Sequence, residues 1–242
     1  MMNKAGKISL LILLALVCVY LFLHSTIFNI DKVDVSGNKK ITSEEITALA
    51  GITPGENLFK LDRELIERSV EIHPVVKNAQ LIRHLPHTAE IKIEERTSWA
   101  IIPYEDLFLL VDDEGHCLDK LNRLPDGNLP IITMDQMPQR VNLGQAVNQD
   151  AIKMIKTVWK SFDRQDRSNI SQFHYINKQK SLLLYTLEGT EVRYGTLERV
   201  DEKAANFTET LKIEASLHNE GKEQLDYVDL RFSGRPVVKT RT

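Results

Sequence analysis

Apolar residues follow three regimes along the chain. From Ile8 to Leu23 they are continuous: no residue is charged, and twelve of the sixteen are Leu, Ile, Val or Phe. No polar face interrupts the run over more than four turns, so a helix there is apolar all round. The 23 uncharged residues between Lys7 and Asp31 exceed the roughly 20 that a helix needs to cross a hydrocarbon core. At roughly −0.3 to −0.6 kcal/mol per residue, those twelve favour insertion by about 4–7 kcal/mol. A cleaved signal peptide would use Lys4 and Lys7 as its basic region, but its apolar stretch is usually about 7–15 residues and ends at a small-residue site. This run is longer, and the segment from His24 to Asn29 offers no such site. The expectation is an uncleaved anchor at residues 8–28.

The second regime, residues 29–97, mixes periods of 3.6 and 2. Ile30, Val33 and Val35 make a short strand that Ser36-Gly37-Asn38 ends as a turn. Thr42-Ser43-Glu44-Glu45 is a capping box, with Ile46, Leu49 and Ala50 as the apolar face of the helix it opens. Gly51 stops that helix. Asp62 can cap a second helix with Leu65, Ile66, Ser69 and Val70 inward, closed by His73-Pro74. Strands are predicted over Val76 to Leu85 and Thr88 to Glu95, with Pro86-His87 at the hairpin. Ala89, Ile91 and Ile93 alternate with Glu90, Lys92 and Glu94, a half-buried strand. Strand–helix–helix–strand–strand predicts two helices on one face of a three-stranded sheet.

The third regime, residues 98–238, is rich in strand patterns. They occur at Trp99 to Ile102, Leu107 to Val111, His116 to Leu118, Ile131-Ile132, Phe173 to Ile176, Ser181 to Leu187 and Thr190 to Tyr194. Asp150 is the expected cap of a helix carrying Ile152, Ile155, Trp159 and Phe162 on one face. Gly195-Thr196-Leu197 leads into another, with Val200, Ala204, Phe207 and Leu211 inward. The segment from Asp226 to Gly234 reads as a closing strand, and Lys239-Thr240-Arg241-Thr242 as a fraying basic tail. The fold class is therefore α+β: one transmembrane helix, a small two-layer domain, and a β-rich domain with two helices and an open edge strand.

Charge orients this arrangement. Residues 1–7 carry two lysines and no acid, which holds that end in the cytoplasm by the positive-inside rule. Everything after about Phe28 is then outside. That part holds all 34 acids and all but two of the 31 basic residues, a net of −5 against −3 for the whole chain. Such a balance gives no reason to expect nucleic-acid binding. Cys18 lies in the anchor and Cys117 stands alone outside, so the exterior has no intramolecular disulfide and reads Cys117 as a buried apolar residue.

Several residues carry a resemblance. Val33-Asp34-Val35-Ser36-Gly37-Asn38 just outside an anchor, the element order after it, and Glu94-Glu95-Arg96 at its end resemble a POTRA domain, narrowly that of the FtsQ/DivIB family of bacterial cell-division proteins. The later Leu110-Val111-Asp112 with Gly115, the Gly195-led helix and Tyr227-Val228-Asp229-Leu230-Arg231-Phe232 are similar to that family's β-domain. Outer-membrane assembly proteins also carry POTRA domains, with a transmembrane barrel that the residues after Arg96 do not resemble.

Catalytic chemistry leaves no such trace. The sequence has no HExxH, GxSxG, P-loop or GxGxxG, and no Cys/His cluster. Asp112-Asp113-Glu114-Gly115 lacks calcium-loop spacing and reads as a hairpin turn. No catalytic residue, metal or cofactor is expected. The resemblance implies a non-enzymatic scaffold that binds FtsB/DivIC-like and FtsL-like coiled-coil membrane proteins at the septum. The mode it suggests is addition of a partner strand to the closing edge strand. By resemblance the contact positions fall on Phe232, Ser233 and Gly234, with Arg231 beside them and Val237 and Val238 as apolar contacts. Pro236 falls within that edge, and Thr196 stands where the family carries a basic residue. The alternatives are a membrane-anchored POTRA chaperone or translocation module for outer-membrane proteins, and an anchored wall enzyme with an unrecognised site.

Overall fold

The computed structural model describes residues 4–125, 127, 129–219 and 224–241. The chain forms two compact units, residues 1–96 and 97–242. The first begins with helix α1 (Lys4–Leu23). Its stretch Gly6–Leu23 has a mean hydropathy of 2.5, and none of it is buried. It is long and apolar enough to cross a membrane.

The rest of this unit follows the expected order. Strand β1 (Lys32–Ser36), helices α2 (Ser43–Ala50) and α3 (Arg63–Glu71), and strands β2 (Val76–His84) and β3 (Thr88–Glu95) make a three-stranded sheet ordered β1-β3-β2. Strand β1 runs parallel to β3, and β2 antiparallel to it. Ala89, Ile91 and Ile93 of β3 share one core with Ile46 of α2 and Ile66 and Val70 of α3. Both helices therefore lie on one face. The Thr42 hydroxyl accepts from the Glu45 N–H at 3.2 Å, and Asp62 Oδ1 from the Leu65 N–H at 3.1 Å. Both N-caps sit where the sequence puts them. Leu65 does not: it is 64% exposed. Ile66 and Val70, four apart, already fill the inward stripe, and Leu65 lies one residue around the helix from it.

The turn after β1 is tightly specified. Gly37 has φ +87°, and a Cβ there would lie 2.0 Å from the Ile93 carbonyl oxygen. Beyond it, Glu95 Oε1 accepts the backbone N–H groups of Lys39, Lys40 and Ile41 at 2.5, 2.7 and 3.2 Å. Burial raises the Glu95 pKa, but the three amides outweigh it and leave it lowered.

The second unit is built on one nine-stranded sheet. Strands β4 (Ser98–Tyr104), β5 (Leu107–Asp112) and β6 (Cys117–Leu121) form an antiparallel meander. Strand β7 (Ile131–Met134) and helices α4 (Gln149–Ser161) and α5 (Arg164–Arg167) follow. A second meander comprises β8 (Ile170–Ile176), β9 (Ser181–Thr186) and β10 (Glu191–Gly195). Helix α6 (Val200–Asn219) leads to β11 (Gln224–Asp229) and β12 (Val237–Arg241). The order is β12-β11-β10-β9-β8-β7-β4-β5-β6.

Ile152, Ile155 and Val158 of α4 and Phe207 of α6 share a core with Phe173, Leu184, Val192 and Val228 from the sheet. The cap of α4 is Asn148, whose Oδ1 accepts from the Ala151 N–H at 3.0 Å, and not Asp150. The helix begins two residues earlier than its apolar stripe suggests, so Asp150 lies inside the first turn, where a negative charge complements the helix dipole. On α6, Lys203, Thr210 and Glu214 are buried beside Phe207. Cys117 is buried too, as expected, and burial pushes its thiol pKa up.

Gly37→Ala places its methyl against a backbone carbonyl in a left-handed conformation. It should destabilise the first unit by at least about 2 kcal/mol in urea unfolding followed by circular dichroism.

Candidate partner-binding edge

The closing segment is shorter than its sequence pattern suggests. Strand β11 ends at Asp229, and residues 230–236 form a turn. Phe232, Ser233 and Gly234 therefore lie in that turn and not on a strand. The edge is made by β12, which pairs antiparallel with β11 through Tyr227↔Lys239, Val228↔Val238 and Asp229↔Val237. The presumed fraying tail is thus the last strand of the sheet up to Arg241, while Thr242 lies outside the described residues. Pro236 precedes this strand and removes no donor from it.

Side-chain contacts add to the backbone ladder that holds β12. The Asp226 carboxylate pairs with Lys239 at 3.1 Å and Arg241 at 3.4 Å. The Lys239 hydrogen bond is the main cause of a lowered Asp226 pKa. Tyr227 lies between two cations, with the Arg193 guanidinium 3.8 Å and the Lys239 ammonium 5.8 Å from its ring centre. All five residues of β12 are exposed, with Val237 at 52% and Val238 at 40%.

The turn is held by a clamp from α6. Arg199, just before the helix, has φ +54°. Its guanidinium donates to the Phe232 carbonyl at 2.9 Å, the Arg231 carbonyl at 2.7 Å and Glu202 Oε1 at 3.0 Å. Glu202 Oε1 also accepts the Gly234 N–H at 2.8 Å, and Asn206 Nδ2 donates to the Gly234 carbonyl at 3.1 Å. A left-handed conformation costs an arginine about 1–3 kcal/mol and persists where surrounding contacts over-determine it. Sequence reasoning passed over these three residues, although Glu202 and Asn206, four apart, share one polar face of α6 with Arg199 just ahead of it.

Arg231 is the root of the turn. Its guanidinium grips Asp229 twice, Nε to Oδ1 at 2.9 Å and Nη2 to Oδ2 at 2.6 Å, and its N–H donates to Asp229 Oδ1 at 3.0 Å. The Arg231 hydrogen bond, ahead of any burial effect, holds the Asp229 carboxyl below its usual range. The Arg231 stem fills space that only a glycine leaves at position 195: a Cβ there would meet Arg231 Cγ at 2.9 Å. Lys203 is buried nearby and donates to the Thr196 carbonyl at 2.8 Å. Burial lowers its pKa.

With its backbone so fixed, the turn offers Phe232, 62% exposed, beside the free edge. Val228 and Leu230 instead belong to the core. The structure thus brings Phe232, Ser233, Gly234, Val237 and Val238 onto one β11–β12 corner, with Arg231 beneath as its brace. The Asp112 turn is of another kind. Ligand atoms of Asp112, Glu114 and His116 lie within 4.8 Å of one another, but Asp112 Oδ1 accepts the N–H groups of Glu114 and His116 and closes the hairpin turn.

Comparison with known proteins gives consistent matches. Residues 28–96 match the family model described as POTRA domain, FtsQ-type, and residues 100–231 the one described as cell division protein FtsQ/DivIB, C-terminal. The cell division protein FtsQ of Geobacter sp. (strain M21) is 28% identical over 89% of this chain and 77% of its own. That of Syntrophotalea carbinolica is 28% identical over 89% and 75%. The cell division protein DivIB of Clostridium tetani is 26% identical over 94% and 85%. A solved extracytoplasmic domain of DivIB from Geobacillus stearothermophilus covers 52% of this chain and 97% of its own at 16% identity and a TM-score of 0.33, too distant to argue from.

Two measurements test this corner. Arg199→Ala should speed amide hydrogen exchange severalfold in residues 231–241 while leaving α4 and β8 unchanged, because it releases two carbonyls of the turn without opening the core. The Asp229 charge stabilises the fold fully above its ordinary pKa near 3.8 and progressively less as pH falls below that value. Asp229→Asn should cost about 1–2 kcal/mol at neutral pH and flatten the acid limb of the thermal-stability profile.

Proposed function

The chain belongs to the FtsQ/DivIB family of cell-division proteins, and from that premise we propose that it is a bitopic divisome scaffold. Its one N-terminal apolar helix fits a single-pass membrane protein. On this reading the N-terminus is cytoplasmic, residues 29–97 and 98–238 are extracytoplasmic domains, and the protein works at the division septum. It binds FtsB/DivIC-type and FtsL-type partners there and helps recruit or regulate septal peptidoglycan synthesis. It does so as a binding protein and not by catalysis.

The observation that carries the mechanism is the free outer edge of β12, fully exposed and the last strand in the sheet order. Strand addition there would satisfy unpaired backbone groups, and alternate side chains would read the partner. Phe232, Val237 and Val238 supply apolar contact, and Ser233 and Gly234 let a partner chain approach the turn. Arg231 shapes the turn through Asp229 and contributes its exposed edge.

Phe232→Asp should weaken co-purification with an FtsB/DivIC-type partner at least tenfold, the loss expected of a central aromatic anchor at about 1.4 kcal/mol or more. Deleting residues 232–242 should abolish it. Retained binding in both variants would defeat the mechanism. A fluorescent fusion of the intact chain should form a mid-cell band, and uniform membrane fluorescence would count against the scaffold.

A further inference from the structure

The membrane helix is not tethered loosely to the domain that follows it. Asn57 Nδ2 donates to the carbonyl of Leu23, the last residue of α1, at 3.1 Å, and to that of Ser25 at 3.2 Å. Asn57 Oδ1 accepts the Phe59 N–H at 3.0 Å, and the residue is 6% exposed. The connecting segment is zipped to the same loop: the Ile30 N–H donates to Glu56 and the Gly55 N–H to Ile30, both at 2.8 Å. Three rings continue the joint, Phe22 of α1 edge-on to Phe28 at 5.2 Å and Phe28 to Phe59 at 5.0 Å.

The end of the domain nearest α1 exposes apolar side chains. Ile27 is 58% exposed and Phe59 38%. The β2–β3 hairpin lies at that same end, since the Asp31 N–H donates to the His87 carbonyl at 3.0 Å. Arg83 binds it to the Asn57 loop through the carbonyls of Leu58 and Leu61. The tip of that hairpin carries Leu85, 61% exposed.

Length says what covers these side chains. At about 1.5 Å per residue the 20-residue α1 spans about 30 Å, the thickness of a hydrocarbon core, so Leu23 at its end lies at the outer boundary. The headgroup layer adds about 5–8 Å on each side. Residues hydrogen-bonded to the helix end therefore fall within that depth. We propose that the anchor-proximal end of the POTRA unit is a lipid-binding surface. Ile27, Phe59 and Leu85 enter the outer acyl boundary beside the end of α1, Lys60 reaches the headgroup phosphates, and Asn57 locks the unit in that pose. The proposal rests on α1 crossing the membrane.

The test places a benzoylphenylalanine photocrosslinker, one position at a time, in the full chain reconstituted in phosphatidylcholine/phosphatidylglycerol vesicles containing a fluorescent lipid. Position 22 reports the span itself. Position 40, exposed beyond the far end of β1, is the control. Lipid adducts at 27, 59 and 85 within threefold of that at 22, and at least tenfold above that at 40, are expected. Asn57→Asp keeps the acceptor for Phe59 and removes the donors to Leu23 and Ser25. It should lower the adduct at 59 at least threefold and leave that at 22 unchanged. Adducts at 22 but only background at 27, 59 and 85 would overturn the proposal while leaving the span intact. No adduct at 22 would overturn both. An adduct at 59 indifferent to Asn57→Asp would overturn the lock.

Discussion

Strand β11 joins β10 in parallel, and a parallel neighbour cannot be reached by a tight turn. The chain must leave the sheet, travel its length and return, and α6 is that return. The β11–β12 corner therefore exists only where α6 has packed. Its buried polar groups fix how it packs. Lys203 donates to the Thr196 carbonyl at 2.8 Å, and Glu214 accepts from the Thr186 hydroxyl at 2.7 Å. A buried charge or hydroxyl without its partner costs far more than a misplaced methyl, so these contacts admit few alternative registers. With the helix so placed, Arg199, Glu202 and Asn206 meet the turn they hold.

The same polar groups explain what the sequence conceals. The POTRA domain was readable because local chemistry and tertiary packing agree there. Thr42 and Asp62 cap helices in sequence order, and β3 alternates with a strict period of two. On α6 they disagree. Lys203, Thr210 and Glu214 on the inward side blur the apolar stripe, so Phe207 was legible and its polar neighbours were not. The closing segment fails for a different reason. Val228, Leu230 and Phe232 keep strand alternation past the end of the strand. Asp229 breaks it by turning its carboxylate back onto the Arg231 N–H, a choice no period of two records. Strand β12 shows the reverse. Lys239-Thr240-Arg241 has the composition of a solvated tail and becomes a strand because Asp226 and Tyr227 wait opposite it, the context dependence typical of β propensity.

The edge so formed also constrains how it can recognise anything. Backbone hydrogen bonds contribute about 0.5–1.5 kcal/mol net each and are blind to sequence, so an edge that relied on them alone would pair with any extended chain. Selectivity must come from side chains, and those here are unevenly placed. Lys239 and Arg241 share a single acid, Asp226, so the strand keeps surplus positive charge that repels a second basic strand. Phe232 stands outside the ladder, on a turn whose carbonyls are tied to Arg199. Its backbone carries little conformational freedom to lose on binding, which is the condition for an exposed aromatic to act as an anchor. The clamp and the edge are thus one device on the proposed reading. Strand β12 supplies the general attraction, and the braced turn decides which strand benefits from it.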